Sequence, residues 1–498
     1  MLWWQNIPLF SIILCLLSAA VTSVLKRRAA RTVCLGALGT VLFFTVILTG
    51  MTRQAGTATT FMMGHFPAPW GNEIRFGVLE AVTAALFTLI MLFSLTGGGH
   101  RMAEQLEENK ENLYYTVCAL LEAALLAQVY SNDLFTSYVF VEIMTIAACT
   151  LITARTKGKT LVSAMRYMIL NLLGSGLFLL GVVLLYNMTG HLLMVNIREQ
   201  VGLLMQTGEY RIPLTVTVGL LTIGLAIKSS LFPFHTWVPD AYANGTPSSN
   251  AILSSLVSKG YIFLLIKIYV RVLGTDTVNA MGIFRVLLAF AAGGIIVGSV
   301  DAIRTKHIGR MIAYSSVAQI GYIYLGVSLG TDTGMQIAIF QMLSHGFAKS
   351  LLFLSSDVLR KVSGESTNIA DLKGSGLRAP LAGVCFTAGA LSMVGIPLTG
   401  GFVTKLLLIR ESMSQPAWIM VTIWILMLLS TLLNVLYFLK TVMIIWTHPD
   451  HGPVMRQKNA AGIRFGIAAA GLSAAVLACF LFAGPLLSAL SDGLALFS

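Results

Sequence analysis

Two interrupted apolar segments decide the fold of this sequence. The first reads IKSSLFPFHTWVPDA (227–241) and the second reads VGIPLTGGFVTKLLL (394–408). Proline removes a backbone donor and clashes with the preceding turn, and paired glycines tolerate an unwound backbone. Because each segment lies inside a longer apolar run, its broken backbone must be buried in protein or line a wet cavity. The residues expected to break the two helices are Pro233 in the first segment and Pro397, Gly400 and Gly401 in the second.

Apolar runs as long as a membrane-spanning helix recur along the whole chain. The 498 residues are 56% apolar and only 11% charged, with a mean hydropathy of +0.81. This composition excludes a soluble multidomain protein and predicts an all-α, polytopic membrane bundle of about fourteen spans. The expected spans are 7–25, 31–51, 76–97, 113–131, 134–153, 161–186, 212–238, 249–270, 283–303, 311–330, 334–358, 379–410, 416–445 and 461–488. The polar stretch 190–211 is expected to hold a short interfacial helix.

The two broken helices indicate an internal repeat. They are the seventh and twelfth expected spans, and corresponding broken helices in the two halves of a transporter point to an ion path. We therefore expect one transmembrane domain (1–498) that contains two pseudo-repeated five-helix units at 113–270 and 283–445. Spans one to three (1–112) and the last span (461–488) would flank these units.

Basic residues are concentrated in alternate loops. The net charge is +12, with 33 Lys and Arg residues against 21 Asp and Glu residues. Loops after odd-numbered spans hold about nineteen basic residues and the intervening loops about seven, so the positive-inside rule places both termini on the outer side. The basic balance therefore reflects topology and indicates no nucleic-acid partner. The residues of the basic loops are Lys26, Arg27, Arg28, Arg31, Arg101, Lys110, Arg155, Lys157, Lys159, Arg304, Lys306, Arg310, Arg360, Lys361, Lys373, Arg378, Arg456, Lys458 and Arg464.

Six cysteines stand singly in apolar segments, where they act as small core residues. They are Cys15, Cys34, Cys118, Cys149, Cys385 and Cys479. The sequence has no CxxC pair, no GxGxxG after a strand and no paired haem histidines. We therefore expect neither a metal nor a redox cofactor in this chain.

Three ionisable residues lie deep in apolar segments of the first unit. A charged side chain at the bilayer centre costs about 2.5–3.5 kcal/mol on insertion scales, so each needs an escape to the interface or a function. Glu142 lies about eight residues inside span five, and Lys259 lies near the middle of span eight. Lys228 precedes Pro233, and we expect its ammonium beside backbone carbonyls that the break frees. The three groups favour a proton relay; the alternative is a static salt bridge between Glu142 and one lysine.

The second unit repeats this chemistry with different spacing. His345 and Lys349, in QMLSHGFAKSLLFL (341–354), are four residues apart and share one helix face. Histidine titrates near neutral pH and can pass a proton between neighbours, although a lone buried histidine is more often a satisfied core residue. Lys405 follows the second break and is expected in the outer half of the membrane. Burial disfavours a charged lysine and a nearby carboxylate favours it, so a moving carboxylate can make such a lysine release its proton.

Other charged residues of the spans lie closer to a helix end. Arg166, Lys267 and Lys440 are within about two turns of one, and we expect their charged groups to reach the interface by snorkelling. For Glu80 and Glu122, a structural and a functional interpretation are both open.

Several motifs together resemble those of one family of membrane proteins. They are Lys228, Phe232-Pro233-x-His235-x-Trp237-x-Pro239-Asp240-Ala241 and Lys259, with DLFTSYVFVE (133–142), RMIAYSSVAQIGYI (310–323), SHGFAKSLLFL (344–354) and GIPLTGGFVTK (395–405). The chain resembles the antiporter-like subunits of complex I, energy-converting membrane hydrogenases and Mrp-type cation/proton antiporters, over roughly spans 4 to 13. It is similar to the shorter members, such as the D-type subunit of Mrp antiporters or its hydrogenase counterpart. The long lateral helix of the largest complex I member is not expected here.

The resemblance assigns roles within the first unit. Glu142 is similar to the family's span-five glutamate. Lys228 is similar to its pivotal span-seven lysine, and Lys259 to its connecting basic residue. The other span-seven motif residues are expected to support the break, and they include His235, Pro239 and Asp240.

The resemblance also assigns roles within the second unit and a function to the whole. His345 and Lys349 resemble the span-eleven linker, and Lys405 resembles the terminal lysine of the outer half-channel. These roles imply a proton-translocating membrane subunit of a multi-subunit, redox-driven ion-pumping complex in a prokaryotic cytoplasmic membrane. The chain itself would be a non-redox part of such an oxidoreductase.

The expected partners follow from this assignment. They are further antiporter-like and small membrane subunits and, in a redox-driven complex, peripheral iron–sulfur, NiFe or NADH-oxidising subunits. H⁺ is the expected ion because a buried lysine is a poor sodium ligand, and transport of Na⁺ is left open. Two alternatives remain: a subunit of an Mrp-type Na⁺(K⁺)/H⁺ secondary antiporter, and a structural membrane subunit that does not conduct.

Overall fold

The computed structural model describes residues 3–63, 66, 72–99, 101–208, 210–449 and 462–497, and their regular structure is almost entirely helical. The helices are α1 (Ile7–Val24), α2 (Arg27–Ala55), α3 (Val78–Gly98), α4 (Met102–Gln105), α5 (Glu111–Tyr130), α6 (Leu134–Thr153), α7 (Gly158–Thr189), α8 (Met194–Thr207), α9 (Arg211–Lys228), α10 (Val238–Asn244), α11 (Pro247–Leu273), α12 (Thr275–Ala280), α13 (Ile283–Arg304), α14 (Ile308–Ser328), α15 (Asp332–Lys361), α16 (Ser375–Arg378), α17 (Pro380–Val394), α18 (Gly400–Ser412), α19 (Ala417–Trp446), α20 (Gly462–Leu481) and α21 (Ala483–Ala495). Short 3₁₀ turns cover Trp3–Asn6, Glu108–Lys110, Phe234–Trp237 and Ile369–Leu372.

Membrane-length helices confirm the predicted fold class. Within the described residues, twelve helices are long and apolar enough to cross a membrane. Two expected spans are not among these twelve helices: 311–330 corresponds to α14, and 379–410 corresponds to α17 together with α18. The count of about fourteen spans and the two repeated units therefore remain predictions. The stretch 190–211 contains α8, as expected, whereas Arg456 and Lys458 of the topology argument lie outside the described residues.

A short antiparallel hairpin between α2 and α3 departs from the all-α prediction. Its strands are β1 (Thr59–Met62) and β2 (Glu73–Phe76). Arg75 of β2 is buried, and Ile74 forms an isolated antiparallel bridge with Ser131. The hairpin therefore packs against the turn between α5 and α6 instead of extending as a free loop.

The first helix break lies where the proline-containing motif predicts it. The helix α9 ends at Lys228, and Ser230 then adopts a left-handed conformation with φ of 64°. A 3₁₀ turn at Phe234–Trp237 leads into α10. Pro239 lies in the first turn of α10, where its missing N–H is tolerated.

The second break is also confirmed. Residues 395–399, which include Pro397, separate α17 from α18 and are not helical. Gly395 has a φ of 83°, a conformation that glycine adopts without steric penalty. The paired Gly400 and Gly401 then begin α18.

The helices α11 and α15 form the centre of the bundle and contact each other. Every residue in the apolar window of each is buried within the protein. The helix α11 also contains two π-helical turns, at Leu253–Val257 and Ile268–Leu273. Such turns interrupt the regular hydrogen-bond ladder and often occur at functional sites. The first π-turn ends two residues before Lys259.

Candidate functional site

Glu142 and Lys228 form an ion pair between α6 and α9, as predicted. The Lys228 ammonium lies 3.2 Å from Glu142 Oε1; the lysine side chain is completely buried, whereas 23% of the glutamate side chain is exposed. Lys228 Nζ also donates to Thr145 Oγ1 at 2.8 Å, and Ser175 Oγ donates to Glu142 Oε1. The expectation that Lys228 binds freed carbonyls is wrong, because the last carbonyls of α9 accept hydrogen bonds from the backbone amides of 229–231.

Lys259 is held by the first π-turn of α11. Its ammonium donates to the carbonyl oxygen of Ser254, at the spacing of a π-helical turn. Tyr261, two residues after Lys259 on α11, connects this helix to the Glu142–Lys228 ion pair. The Tyr261 hydroxyl lies 3.1 Å from Thr145 Oγ1, and its ring centroid lies 5.4 Å from Lys228 Nζ. A hydroxyl bridge therefore joins the ion pair to the central helix.

His345 and Lys349 are completely buried on one face of α15. The Lys349 ammonium donates to the carbonyl oxygen of Ile312 at 2.7 Å and to the hydroxyl of Ser315. Neither ring nitrogen of His345 has a hydrogen-bond partner among the described residues. Lys349 lies one helical turn after it, and the part of α11 that carries Lys259 contacts α15. A histidine with two unbonded ring nitrogens beside a buried lysine can take up and release protons in either direction.

Serine hydroxyls connect the two buried lysines of α11 and α15, which the sequence analysis missed. The hydroxyl oxygens of Ser254 and Ser316 lie 2.9 Å apart, and so do those of Ser255 and Ser350. The carbonyl of Ser254 binds Lys259. Ser316 directly follows Ser315, whose hydroxyl binds Lys349. The signal in the sequence is a serine pair in each of LSSLVSK (253–259) and AYSSVAQ (313–319).

Lys405 is bound at the second break. Its ammonium donates to the carbonyl oxygen of Val394, the last residue of α17, at 2.7 Å and to Thr431 Oγ1 at 2.8 Å. The ring centroid of Tyr322 lies 5.5 Å from the same nitrogen. A Cβ atom at Gly395 would lie 2.9 Å from Cδ of Lys405, so the glycine leaves room for the lysine. The break therefore supplies a free carbonyl to this lysine, and the position of Lys405 in the outer half of the membrane stays a prediction.

Two glutamines lie between His345 and the second break. Gln341, one turn before this histidine on α15, donates through Nε2 to Gln319 Oε1 at 2.7 Å. Thr404 Oγ1 donates to Gln341 Oε1, also at 2.7 Å. Because Thr404 directly precedes Lys405, these amides extend the polar connection to the last lysine of the series.

The candidate lysines differ in the charge of their partners. Across the described residues, Lys228 is the one candidate lysine with a carboxylate within 4.0 Å. Lys259, Lys349 and Lys405 are bound by hydroxyl and carbonyl oxygens. A neutral oxygen stabilises an ammonium less than a carboxylate does. These three lysines can therefore lose a proton without leaving an unpaired carboxylate behind.

Two supporting residues of the first break lie away from the lysines. Asp240 on α10 accepts hydrogen bonds from Arg166 on α7 at 2.8 Å and from Arg310 on α14 at 2.7 Å. The His235 ring stacks on that of Phe232 with a centroid distance of 5.6 Å. In the described structure, neither residue forms an ion pair or a hydrogen bond with a candidate lysine. Asp240 thus connects α10 with α7 and α14. The Arg166 side chain is exposed, as the snorkelling prediction requires, and it also forms an ion pair with Asp240.

His307 lies in the loop before α14 and lines the same cavity as Asp240, which has a volume of about 450 Å³. Its Nδ1 accepts a hydrogen bond from the backbone N–H of Arg310 at 3.3 Å and so caps α14. Burial, reinforced by the charges of Arg360 and Arg310, lowers the pKa of His307 to about 4. The imidazole is therefore neutral near pH 7, as its acceptor role requires.

Lys267 does not reach the interface, and the snorkelling prediction for it is wrong. Only 1% of the residue is exposed, and its ammonium donates to the carbonyl oxygens of Val129 at 2.6 Å and Ser131 at 2.8 Å. The central helix α11 has neighbours on all sides, so closeness to its end does not give access to water.

The two glutamates that the sequence left open are both buried. Glu80 accepts from Arg75 at 2.6 Å, which ties the hairpin to α3. Glu122 accepts a hydrogen bond from Thr88 Oγ1 at 2.6 Å and has no ion-pair partner within the described ranges. Glu80 is therefore part of a structural ion pair, and Glu122 lies outside the series of lysines.

One protein family matches the part of the chain that carries this site. The family described as NADH:quinone oxidoreductase/Mrp antiporter, TM, matches residues 131–431, which include every candidate residue from Glu142 to Lys405. The chain belongs to this family. Its antiporter-like membrane fold is therefore a property that it shares with the other members.

Some relatives are named as subunits of NADH-quinone oxidoreductase and others as subunits of a Na(+)/H(+) antiporter. The N subunit of NADH-quinone oxidoreductase from Desulforudis audaxviator (strain MP104C) is 31% identical over 445 residues, which cover 88% of this chain and 86% of the relative. The D-type subunit of the Na(+)/H(+) antiporter from Bacillus subtilis (strain 168) is 26% identical, and the match covers 86% of this chain and 84% of the relative.

Solved structures of multi-subunit membrane complexes contain the same fold. A chain of the membrane-bound sulfane sulfur reductase, an archaeal respiratory membrane complex, has a TM-score of 0.87 at 24% identity and covers 99% of this chain and 98% of its own length. A chain of the Mrp complex from Dietzia sp. DQ12-45-1b has a TM-score of 0.86 at 23% identity, with 99% and 97% covered. A chain of respiratory complex I from Thermus thermophilus has a TM-score of 0.74 at 22% identity, with 97% and 100% covered. The shared fold therefore extends over nearly the whole chain.

Proposed function

We propose that this chain is the proton-translocating membrane subunit of a multi-subunit ion-pumping complex that is driven by a redox reaction in other subunits. As a family member with membrane-length helices, the chain is an antiporter-like, multi-pass membrane subunit. The relative named as a subunit of NADH-quinone oxidoreductase is 31% identical to it, against 26% for the relative named as a subunit of a Na(+)/H(+) antiporter. This difference supports the redox-driven alternative.

The observation that carries the proposal is a series of buried basic groups joined by neutral polar side chains. A hydroxyl can accept one proton while donating another, so hydroxyls can relay protons between lysines, whereas a neutral amide accepts and donates hydrogen bonds and so orients the relaying groups. A buried ammonium repels Na⁺ but can itself carry H⁺, which supports protons as the transported ion. The basic groups of the series are Lys228, Lys259, His345, Lys349 and Lys405, and Glu142 is the carboxylate paired with the first of them.

In the proposed mechanism, Glu142 controls the proton on Lys228. With the carboxylate at the observed distance, the ammonium is stabilised and the lysine keeps its proton. Displacement or hydration of the partly exposed carboxylate removes this stabilisation, and the proton passes through Thr145 and Tyr261 towards Lys259. The wet backbone expected at a helix break allows Lys228 to be reprotonated.

The second half of the path leads from the centre to Lys405. His345 exchanges protons with the two central lysines, and the amide of Gln341 orients the hydroxyl of Thr404, which continues the path to the second break. We infer that Lys405 exchanges its proton with the outer side. The non-helical residues 395–399 would line that exit.

The same proposal includes the arrangement in the membrane. The units 113–270 and 283–445 each contain one break and one half of the path, and both termini lie on the outer side of a prokaryotic cytoplasmic membrane. The partners are other antiporter-like and small membrane subunits, together with peripheral subunits that carry out electron transfer. The proposal of membrane-subunit partners is supported by the multi-subunit complexes in which the fold occurs.

The test uses the whole complex, purified through a tag on this chain and reconstituted into liposomes that contain a pH-sensitive dye. The copurified subunits are identified by mass spectrometry, and either their electron donor and acceptor or a Na⁺ gradient alone is supplied. We expect redox subunits, and proton movement that depends on the donor and stops in the Lys228→Arg variant. Lys26→Arg, a change of the same type at an exposed lysine, should leave it intact.

Two outcomes would overturn the proposal. Proton movement driven at full rate by the Na⁺ gradient, in a complex without redox subunits, would identify a secondary antiporter. Donor-dependent proton movement at the wild-type rate in both Lys228→Arg and Lys405→Ala would identify a structural subunit that does not conduct.

A further inference from the structure

A basic cavity at the end of α13 lies apart from the series of lysines. It has a volume of about 370 Å³ and is bounded by the end of α13, the loop before α14, the segment 368–370 and the last turns of α19. Arg304, Lys306 and Lys440 line it, and among its described lining residues there is no carboxylate. In the described part of the chain, none of the three basic residues forms an ion pair. The cavity therefore concentrates positive charge that the protein itself does not neutralise.

The walls of this cavity are fixed by hydrogen bonds. The backbone N–H of Ile369 donates to the carbonyl oxygen of Lys306 at 2.8 Å, which holds the loop against the opposite wall. Tyr437 and Thr441, both buried, form the floor on α19, and the Thr441 hydroxyl donates to the carbonyl oxygen of Tyr437 at 2.8 Å. Asn368 adds a side-chain amide to the lining. The cavity thus combines fixed polar walls with three long cationic side chains.

An exposed apolar stripe of α19 leads directly to the cavity. Leu432, Leu436 and Met443 are 60%, 52% and 63% exposed and share a face of α19 with Lys440, because they follow the spacing of a helix. On a helix of membrane length, such a stripe faces acyl chains or another membrane protein. Lys440 is exposed on the same face, between Leu436 and Met443, and its snorkelling to the interface stays a prediction.

We propose that the cavity binds the phosphate headgroup of an anionic phospholipid, with the acyl chains along the exposed stripe of α19. Phosphate oxygens accept hydrogen bonds from arginine, lysine, amide and hydroxyl groups, all of which line the cavity. Basic pockets between membrane helices are suited to anionic lipid headgroups, whereas a free phosphate ion would make no use of the apolar stripe. This inference goes beyond the proposed proton path and does not depend on it.

The test measures lipid binding to the purified, delipidated complex by native mass spectrometry. The probe is phosphatidylglycerol, and phosphatidylcholine and inorganic phosphate serve as comparisons. The variant combines Arg304→Gln, Lys306→Gln and Lys440→Gln. The control combines Lys26→Gln, Arg28→Gln and Lys157→Gln, which remove the same charge from exposed residues outside the cavity.

We expect one phosphatidylglycerol site to weaken on the order of a hundredfold in the cavity variant and to be unchanged in the control. Phosphatidylcholine should show no such site, and inorganic phosphate should not displace phosphatidylglycerol. Equal binding by the cavity variant and the wild type would overturn the proposal. Displacement by inorganic phosphate would identify a free-anion site instead.

A second measurement covers the case in which the triple variant does not assemble. A phosphatidylglycerol with a photoreactive acyl chain should label residues 432–443 of the wild-type complex, and Lys440→Gln alone should reduce the labelling. Labelling elsewhere only, or loss of another protein from an otherwise intact Lys440→Gln complex, would show that a protein covers this face.

Discussion

Glu142→Gln is the substitution that most directly tests control of Lys228 by the carboxylate. Glutamine keeps the size and shape of the side chain and can still accept the hydrogen bond of Ser175, but it carries no charge. It creates no cavity, so the complex should assemble. The companion substitution is Lys228→Arg, which keeps the positive charge but cannot release a proton at accessible pH.

The size of the effect follows from the geometry of the pair. Two unit charges 3.2 Å apart interact with about 5 kcal/mol at an effective dielectric constant of about 20. Because 23% of the Glu142 side chain is exposed, screening by water reduces this to about 2.5 kcal/mol. Each 1.4 kcal/mol is a factor of about ten, so Glu142→Gln should slow transport on the order of fiftyfold. Lys228→Arg should reduce transport to the background.

The assay is ion transport in inverted vesicles, normalised to the amount of assembled complex. Lys26→Arg and Glu199→Gln are the matched controls, because they make the same changes at exposed positions and should keep the wild-type rate. Transport by Lys228→Arg close to the wild-type rate would show that Lys228 is a fixed charge, and the proposed mechanism would be wrong. A wild-type rate for Glu142→Gln alone would remove the carboxylate from the control of the lysine.

Three further predictions concern the exit, the topology and one loop histidine. Lys405→Ala should abolish transport and leave the complex assembled, because the side chain binds a carbonyl at a break; near-normal transport in vesicles would remove the outer half-channel from the mechanism. Single cysteines at Lys157 and Thr207 should react with a membrane-impermeant maleimide from the inner and the outer side, respectively, and outer-side reaction at position 157 would contradict the orientation. His307 has its pKa lowered from 6.5 to about 4, so its contribution to stability is present above pH 6.5 and is lost as the pH falls to about 4. The loss of unfolding free energy should be about 2–3 kcal/mol. Between pH 7 and pH 4.5, the thermal unfolding temperature in detergent should fall less for His307→Asn, which keeps a capping oxygen, than for the wild type. An equal fall in both proteins would contradict this.

Helix breakers and deeply placed charges are the features that the sequence made predictable. Pro233 and Pro397 locate both breaks, because the effect of proline on a helix is local and does not depend on the neighbouring helices, whereas Gly400 and Gly401 lie in the helix that follows the second break. The contact between Glu142 and Lys228 was also predictable, since both lie at middle depth in spans of one proposed unit. Their assigned roles remain predictions.

Packing between distant segments was not predictable. Lys267 was expected at the interface because it lies near a helix end, but burial depends on how many helices surround that end. The hairpin was missed because its two four-residue strands are too short to show a periodic pattern. The serine bridges join residues about 60 to 95 positions apart, and serine in a membrane helix commonly bonds only to its own backbone.

The π-turn at Leu253–Val257 takes up one residue more than a regular helical turn, because its hydrogen bonds span five residues instead of four. Removing one residue from this turn would restore an ordinary α-helix, and the helix after it would keep nearly the same orientation because the wide turn had already absorbed the extra residue. The lysine would then face the same neighbours but would lie four residues, not five, after the serine whose carbonyl binds it here. When relatives are aligned with this chain, a one-residue gap between positions 253 and 257 is consequently compatible with a lysine in the matching column that points to the same neighbouring helix.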